Sequence, residues 1–303
     1  MTDIGVVAPL VFLDTHDLYF PSDLAIHLKN THPEVNFTKI DHGSDPLTLE
    51  NLDSINNLGG KDIFLTSNDD VTQLPDYLHG NLPDSKTLRT VDARGCAVIV
   101  ADKGNGVKDA FYMYFYTFNQ GPSVSGHELG DHLGDWEHNM IRFENGQPKS
   151  IWYSQHEYGA AYTYDAVEKI GKRPVAYSAK GSHANYAVPG KHDLHETNEA
   201  IPAQVVYDVT SNGPLWDPTL SAYYYTFSTD TKKFTSVKDA PVNYLYFQGQ
   251  WGDQEYGDDH QGQLKFMDYH KWTSGPTGPL DKHLDREEVC LPVMSECTIK
   301  SSV

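Results

Sequence analysis

The chain has 303 residues, with 42 acidic against 23 basic side chains and a formal net charge of −19. That excess repels nucleic acid and anionic lipid, and protonating all 15 histidines still leaves the chain negative. A hydrophobic content of 39% with 12% aromatic residues supports a substantial core, so the chain is expected to fold unaided.

The apolar run 4–13 is broken by Pro9 and preceded by Asp3 instead of a basic segment. It is too short to span a bilayer and does not fit a signal peptide, which places the chain in the cytoplasm as written. A vacuolar or secretory association would follow if a leader had been removed. Ser22, after Pro21, is expected to cap a short helix through Leu28. Leu49, Leu52, Ile55 and Leu58 follow helical spacing up to a stop at Gly59-Gly60.

Most of the remaining pattern predicts strands. Residues 95–101 and 107–118 flank Lys103-Gly104-Asn105-Gly106, and 135–143 and 150–158 flank Asn145-Gly146, predicting two hairpins. Residues 172–179, 222–228 and 244–248 read as further strands, the last two carrying tyrosine and phenylalanine at strand spacing. Cys96 lies in the apolar stretch 96–100 and is expected to be a buried thiol, whereas Cys290 and Cys297 are close enough to pair in an oxidising compartment. The expected class is mainly β: a β-sandwich or jelly-roll-like single domain over 1–303 with short helical decorations. A split near residue 200 is the competing organisation.

Chemistry concentrates between Gly126 and His192, where His127, His132, His138, His156, His183 and His192 fall, with His195 just beyond. Alternation along a strand puts Asp135 and Glu137 on one face, about 6.6 Å apart along the chain, and Trp136 and His138 on the other. The two carboxylates are candidates to divide acid and base roles or to hold a divalent metal, and no other cofactor is implied. An acidic pair that steadies nearby loops is the competing reading. His156, on the partner strand, is the candidate general base, and His183, in Lys180-Gly181-Ser182-His183, is a candidate proton shuttle or metal ligand.

Lys180, Trp136, His138 and Ser182 complete the candidate ligand contacts. Ser182 lacks a Gly-x-Ser-x-Gly elbow and reads as a turn residue, not a nucleophile. His127 and His132 are five apart, which suits neither a zinc helix nor one strand face, and predict a polar loop over the site. The stripes Tyr112, Tyr114, Tyr116 and Phe111, Met113, Phe115 are expected in the core.

Gly134-Asp135-Trp136-Glu137-His138, then Ser154-Gln155-His156, then 173–186 with its Lys180-Gly181-Ser182-His183, resemble the vacuolar protein sorting-associated protein 62 family. The resemblance extends to Ala8-Pro9-Leu10-Val11-Phe12 near the start and to Gly249-Gln250-Trp251-Gly252-Asp253 and Gly275-Pro276-Thr277-Gly278-Pro279 near the end. It implies a link to cytoplasm-to-vacuole protein targeting and carries over no catalytic set, so the roles above rest on local chemistry. The expected function is acid/base processing of a small organic molecule or carbohydrate, of hydrolase, lyase or cyclase type, without nucleic acid and without membrane insertion. The alternative is a non-catalytic trafficking or recognition module whose histidines tune binding with pH.

Overall fold

The computed structural model describes residues 5–196, 203–266 and 268–303. The first residue of the apolar run 4–13 and the alternative boundary near residue 200 lie outside the described residues.

Strand β1 (Leu10–Phe12) leads to helix α1 (Leu24–Lys29). The helix is capped by Asp23, whose carboxylate accepts the amides of Ala25 and Ile26. The expected cap, Ser22, is diverted: its hydroxyl accepts the Thr117 amide at 3.0 Å and donates to the Phe20 carbonyl. The helical spacing over 49–58 becomes a 3-10 helix, Leu52–Leu58, which buries Leu52 and Ile55 and stops at Gly59.

The two predicted hairpins are present as β2 (Cys96–Gly104) with β3 (Val107–Asn119), and β4 (His132–Glu144) with β5 (Gln147–Gln155). Asn105, Gly106, Asn145 and Gly146 all take positive φ, from 51° to 79°, the geometry that matches the twist of the flanking strands. Then come β6 (Tyr158–Thr163), β7 (Lys169–Ile170), β8 (Arg173–Ser178) and β9 (Asn185–Tyr186). They are followed by β10 (Gly190–Asp193), β11 (Tyr207–Thr210), β12 (Leu215–Trp216), β13 (Ala222–Ser228), β14 (Lys233–Val237) and β15 (Ile299–Lys300).

One sheet runs β14-β13-β2-β3-β4-β5-β6-β15 and a smaller one runs β7-β8-β1-β12, with β9 paired to β8, while β10 and β11 form a separate ribbon. Three long-range pairings are parallel: β13 with β2, β1 with β8, and β6 with β15. The eight-stranded sheet is buried on both faces, which explains why β3 is apolar or aromatic at nearly every position. Tyr112, Tyr114 and Tyr116 pack toward Val11, Ala176 and Trp216 of the smaller sheet. Phe111, Met113 and Phe115 pack the other way, against Leu24 and Leu28 of α1 and against Trp136 and Trp251. Each of these fully buried side chains contributes about 1.5–3 kcal/mol of transfer free energy. The architecture is therefore the expected mainly β sandwich with short helices.

Residues 244–248 are not a strand. Asn243–Tyr246 is a 3-10 helix, in which the Leu245 amide donates to the Val242 carbonyl at 3.0 Å and Tyr244 and Leu245 are both buried in the same core. Asn56 fixes this turn, donating to the Tyr246 carbonyl and accepting the Gln248 amide. Cys96 is a buried free thiol, and Cys290 and Cys297 form a disulfide. Among the described residues no helix is long and apolar enough to cross a membrane.

Candidate functional site

The site is assembled where β4, the β5–β6 turn, the β8–β9 turn and β11 meet. Gly134 opens it: its φ is +70°, and a Cβ there would lie 2.1 Å from the Trp251 carbonyl oxygen. Pairing of Tyr116 with Asp135 and of Tyr114 with Glu137 puts both carboxylates on the tyrosine face of the sheet, as alternation predicts. Both are buried.

His183 lies in the β8–β9 turn with φ +55°, fully buried, its ring stacked on Tyr116 at 3.7 Å between centroids. Its Nδ1 is 2.9 Å from Asp135 Oδ2, and its Nε2 is 3.2 Å from the Tyr19 carbonyl and 3.7 Å from Asp17 Oδ2. A carbonyl can only accept, so Nε2 carries a proton, and the carboxylate at Nδ1 favours a second. Burial opposes that charge, but the Asp135 hydrogen bond and the Asp17 carboxylate outweigh it and hold the imidazole above its ordinary range. The turn is pinned by Gly181, whose amide donates to Asp17 Oδ2 at 3.0 Å and whose missing Cβ would lie 2.5 Å from the Gln120 carbonyl oxygen. Lys180 is exposed on the same turn.

His156 occupies the two-residue β5–β6 turn, also with positive φ, and its side chain keeps 33% exposure. Its Nε2 is 2.9 Å from Asp208 Oδ2. Asp208, on β11, is buried and also accepts Ser182 Oγ at 2.7 Å and Tyr186 Oη at 2.8 Å. Burial alone would raise the Asp208 carboxyl, but His156 and these hydroxyls hold it below the usual carboxylate range. Burial likewise opposes charge on His156, yet Asp208, then Glu137 and Asp135, lift it to about 9. Glu137 behaves oppositely: burial, then the Asp135 charge, pushes its carboxyl up to about 8 against the pull of Lys282, Ser154 and His156. Its Oε2 has no hydrogen-bond partner among the described residues. The surroundings thus favour the protonated form of both His156 and Glu137.

Asp135, Glu137, His156, Ser182 and His183 thus converge, with Lys180 at the margin. Trp136 and His138 do not join them. Their pairing with Phe115 and Met113 turns both to the opposite face, where Trp136 packs on Phe115 and Trp251 at 4.9 and 5.3 Å between centroids. His138 is buried beside Phe111, and burial, then the Arg286 charge, holds it well below the ordinary histidine range. His156 sits on the β5–β6 turn beside Asp208, a contact that favours its protonated form. Ser182 serves as a positioning residue for Asp208.

Nor do His127 and His132 form a free loop. Residues 127–128 pair with 123–124, Glu128 is 2.9 Å from Lys271 Nζ, and His132 Nδ1 bonds the Gly134 carbonyl. A divalent metal would draw on Asp135 and Glu137. Among the described residues no group of three or more His, Cys, Asp or Glu side chains is gathered to hold one.

Asp208 and Tyr186 are absent from the sequence expectations. Strand β11 inverts the usual alternation, exposing Val209 and burying Asp208 and Thr210. An acid flanked by Tyr207 and Val209 is the one local signal pointing to it.

A family model described as vacuolar protein sorting-associated protein 62 matches residues 109–260. Two relatives from Saccharomyces cerevisiae align over 93% of the chain: one named putative vacuolar protein sorting-associated protein TDA6 at 37% identity and vacuolar protein sorting-associated protein 62 at 33%. The chain spans 66% of the length of each. Among solved structures, necrosis and ethylene inducing protein 2 from the causal agent of cocoa's witches' broom disease aligns at 12% identity and TM-score 0.29. That alignment covers 62% of this chain and 68% of that one. NLPPya in complex with mannosamine aligns at 10% identity and TM-score 0.31, covering 73% and 71%. At these scores neither structure carries a site or a ligand across.

Proposed function

The chain belongs to the vacuolar protein sorting-associated protein 62 family, and from that premise we propose that it processes a small organic or carbohydrate ligand by acid/base chemistry at the His156–Asp208 pair. The observation that carries this reading is the 2.9 Å contact between His156 Nε2 and an Asp208 carboxylate fixed by Ser182 and Tyr186, on an imidazole that stays one-third exposed. A histidine so oriented, and charged at neutral pH, is a proton donor to a leaving group, and its Nδ1 is the nitrogen left to meet the ligand. Glu137, whose carboxyl is raised by burial, is a second proton source within electrostatic reach of the first. Lys180 offers a cation at the rim for a ligand oxygen. Asp135 and His183, hydrogen-bonded to each other at 2.9 Å and buried, act in this reading by holding the β4 and β8–β9 elements together.

The ligand class follows from charge: a chain of −19 disfavours polyanions. The relatives are named for vacuolar protein sorting, and vacuolar association of this chain belongs to the same proposal. The test is a turnover screen of neutral glycosides, esters and lactones with the purified chain and with His156→Gln and Asp208→Asn. Turnover that falls by about 10²-fold or more in both variants, with circular dichroism unchanged, supports the reading. Ligand binding without turnover in any of the three proteins identifies a recognition module instead.

A further inference from the structure

A cavity of about 570 Å³ lies at the opposite side of the large sheet, between the segment 89–94, the start of β13 and the turn after β14. Sheet order separates β13 from β4 by β2 and β3, roughly 14 Å at the usual strand spacing, so this cavity is distinct from the His156 cluster. Its volume falls within the range of small-molecule sites.

Three cations line it, Arg89, Arg94 and Lys238, in a chain otherwise rich in acid. Among the described residues none of the three takes part in an ion pair, whereas Lys61, Lys103, Arg142, Arg173 and Lys271 all do. Two acids also line the cavity, Asp23 and Asp92. Asp23 is committed to backbone amides: Oδ1 accepts from Ala25 and Ile26, and Oδ2 accepts the Arg94 amide at 2.8 Å. Asp23 keeps its negative charge but has both oxygens occupied, and with exposed Asp92 it leaves the lining with three cations against two anions, a net positive cavity in an acidic chain. The aromatic wall is equally defined. The Arg94 guanidinium carbon lies 4.9 Å from the centroid of the half-buried Tyr223 ring, and Tyr224 is fixed by donating to the Thr219 carbonyl at 2.8 Å.

We propose that this cavity binds a small organic anion bearing a planar ring, with its phosphate or carboxylate among Arg89, Arg94 and Lys238 and its ring against Tyr223. Guanidinium groups recognise either oxyanion bidentately, and one already parked on an aromatic face loses little freedom on binding. A polyanion is disfavoured by the overall charge, whereas one compact anion senses mainly the cations within a Debye length.

Calorimetric titration of the full chain with phenyl phosphate, benzoate, inorganic phosphate and phenol tests this. Phenyl phosphate or benzoate should saturate one site at least about tenfold tighter than inorganic phosphate or phenol. Arg94→Gln and Arg89→Gln, at exposed positions, should each weaken that binding by about tenfold, and Tyr223→Leu should bring phenyl phosphate down to the level of inorganic phosphate. His156→Gln should leave it unchanged, which separates this site from the acid/base cluster. Failure of both aromatic anions to saturate overturns the proposal, as does saturation that survives the Arg89→Gln, Arg94→Gln double substitution.

Discussion

Two histidine–aspartate pairs of equal length stand side by side in this molecule, and they do different things. His183–Asp135 is sealed, stacked on Tyr116 and bonded at its far nitrogen to a backbone carbonyl, whereas His156–Asp208 leaves a third of its imidazole to solvent. The contact distance is 2.9 Å in both. Pairing chemistry alone therefore does not distinguish a structural ion pair from a proton donor. The second nitrogen does: occupied by Tyr19 in one case and open in the other.

The largest expected effect breaks the sealed pair. His183→Leu leaves the Asp135 and Asp17 carboxylates buried without their cation and should cost about 3–5 kcal/mol in urea unfolding. A loss under about 1 kcal/mol would place His183 among dispensable residues.

Glu137→Gln sharpens the contrast from the other side. A carboxyl raised from 4.5 to about 8 imposes no penalty below 4.5, an increasing one as pH climbs, and its whole penalty above 8. The variant should accordingly be more stable than the parent at pH 8, by on the order of 1 kcal/mol or more, and equal to it near pH 4. Equal unfolding midpoints at pH 8 would mean that Glu137 ionises normally.

The pH dependence of the parent chain combines these groups. A histidine raised in the fold contributes stability that is complete below the unfolded value of 6.5 and is lost as pH rises, for His156 through about 9. His183 acts in the same direction, and Glu137 adds its penalty over the same range. Asp208, lowered in the fold, contributes above 3.8 and loses that contribution as pH falls. Urea midpoints should peak between about 4.5 and 6.5 and decline toward 9. A midpoint that rises across this alkaline range contradicts the assignment.

The smallest stability effect belongs to the exposed pair. His156→Gln should destabilise less than His183→Leu, because the glutamine amide can still donate to Asp208 and solvent screens the one-third-exposed imidazole it replaces. Its effect on turnover should be far larger, and that divergence is what separates it from His183→Leu.

Legibility followed the range of the interactions. The two hairpins could be read because Asn-Gly pairs and period-two patterns are local, and the face shared by Asp135 and Glu137 follows from alternation alone. The parallel pairings of β13 with β2 and β1 with β8 join segments more than 100 residues apart and leave no local trace. Tyr244 carried the aromatic signature of a strand, but its burial together with Leu245 is set by the 3-10 helix it packs against. Within the site, composition revealed the histidines but not which would be sealed. Asp208 stayed hidden because β11 buries its acid and exposes its valine, reversing the rule by which strands are read.

The most direct measurement is a nuclear magnetic resonance titration of the His156 imidazole in the parent chain and in Asp208→Asn. A midpoint near 9 that drops by at least about one unit in the variant is expected if Asp208 holds His156 as a charged acid. A midpoint near 6.5 in both proteins would contradict it.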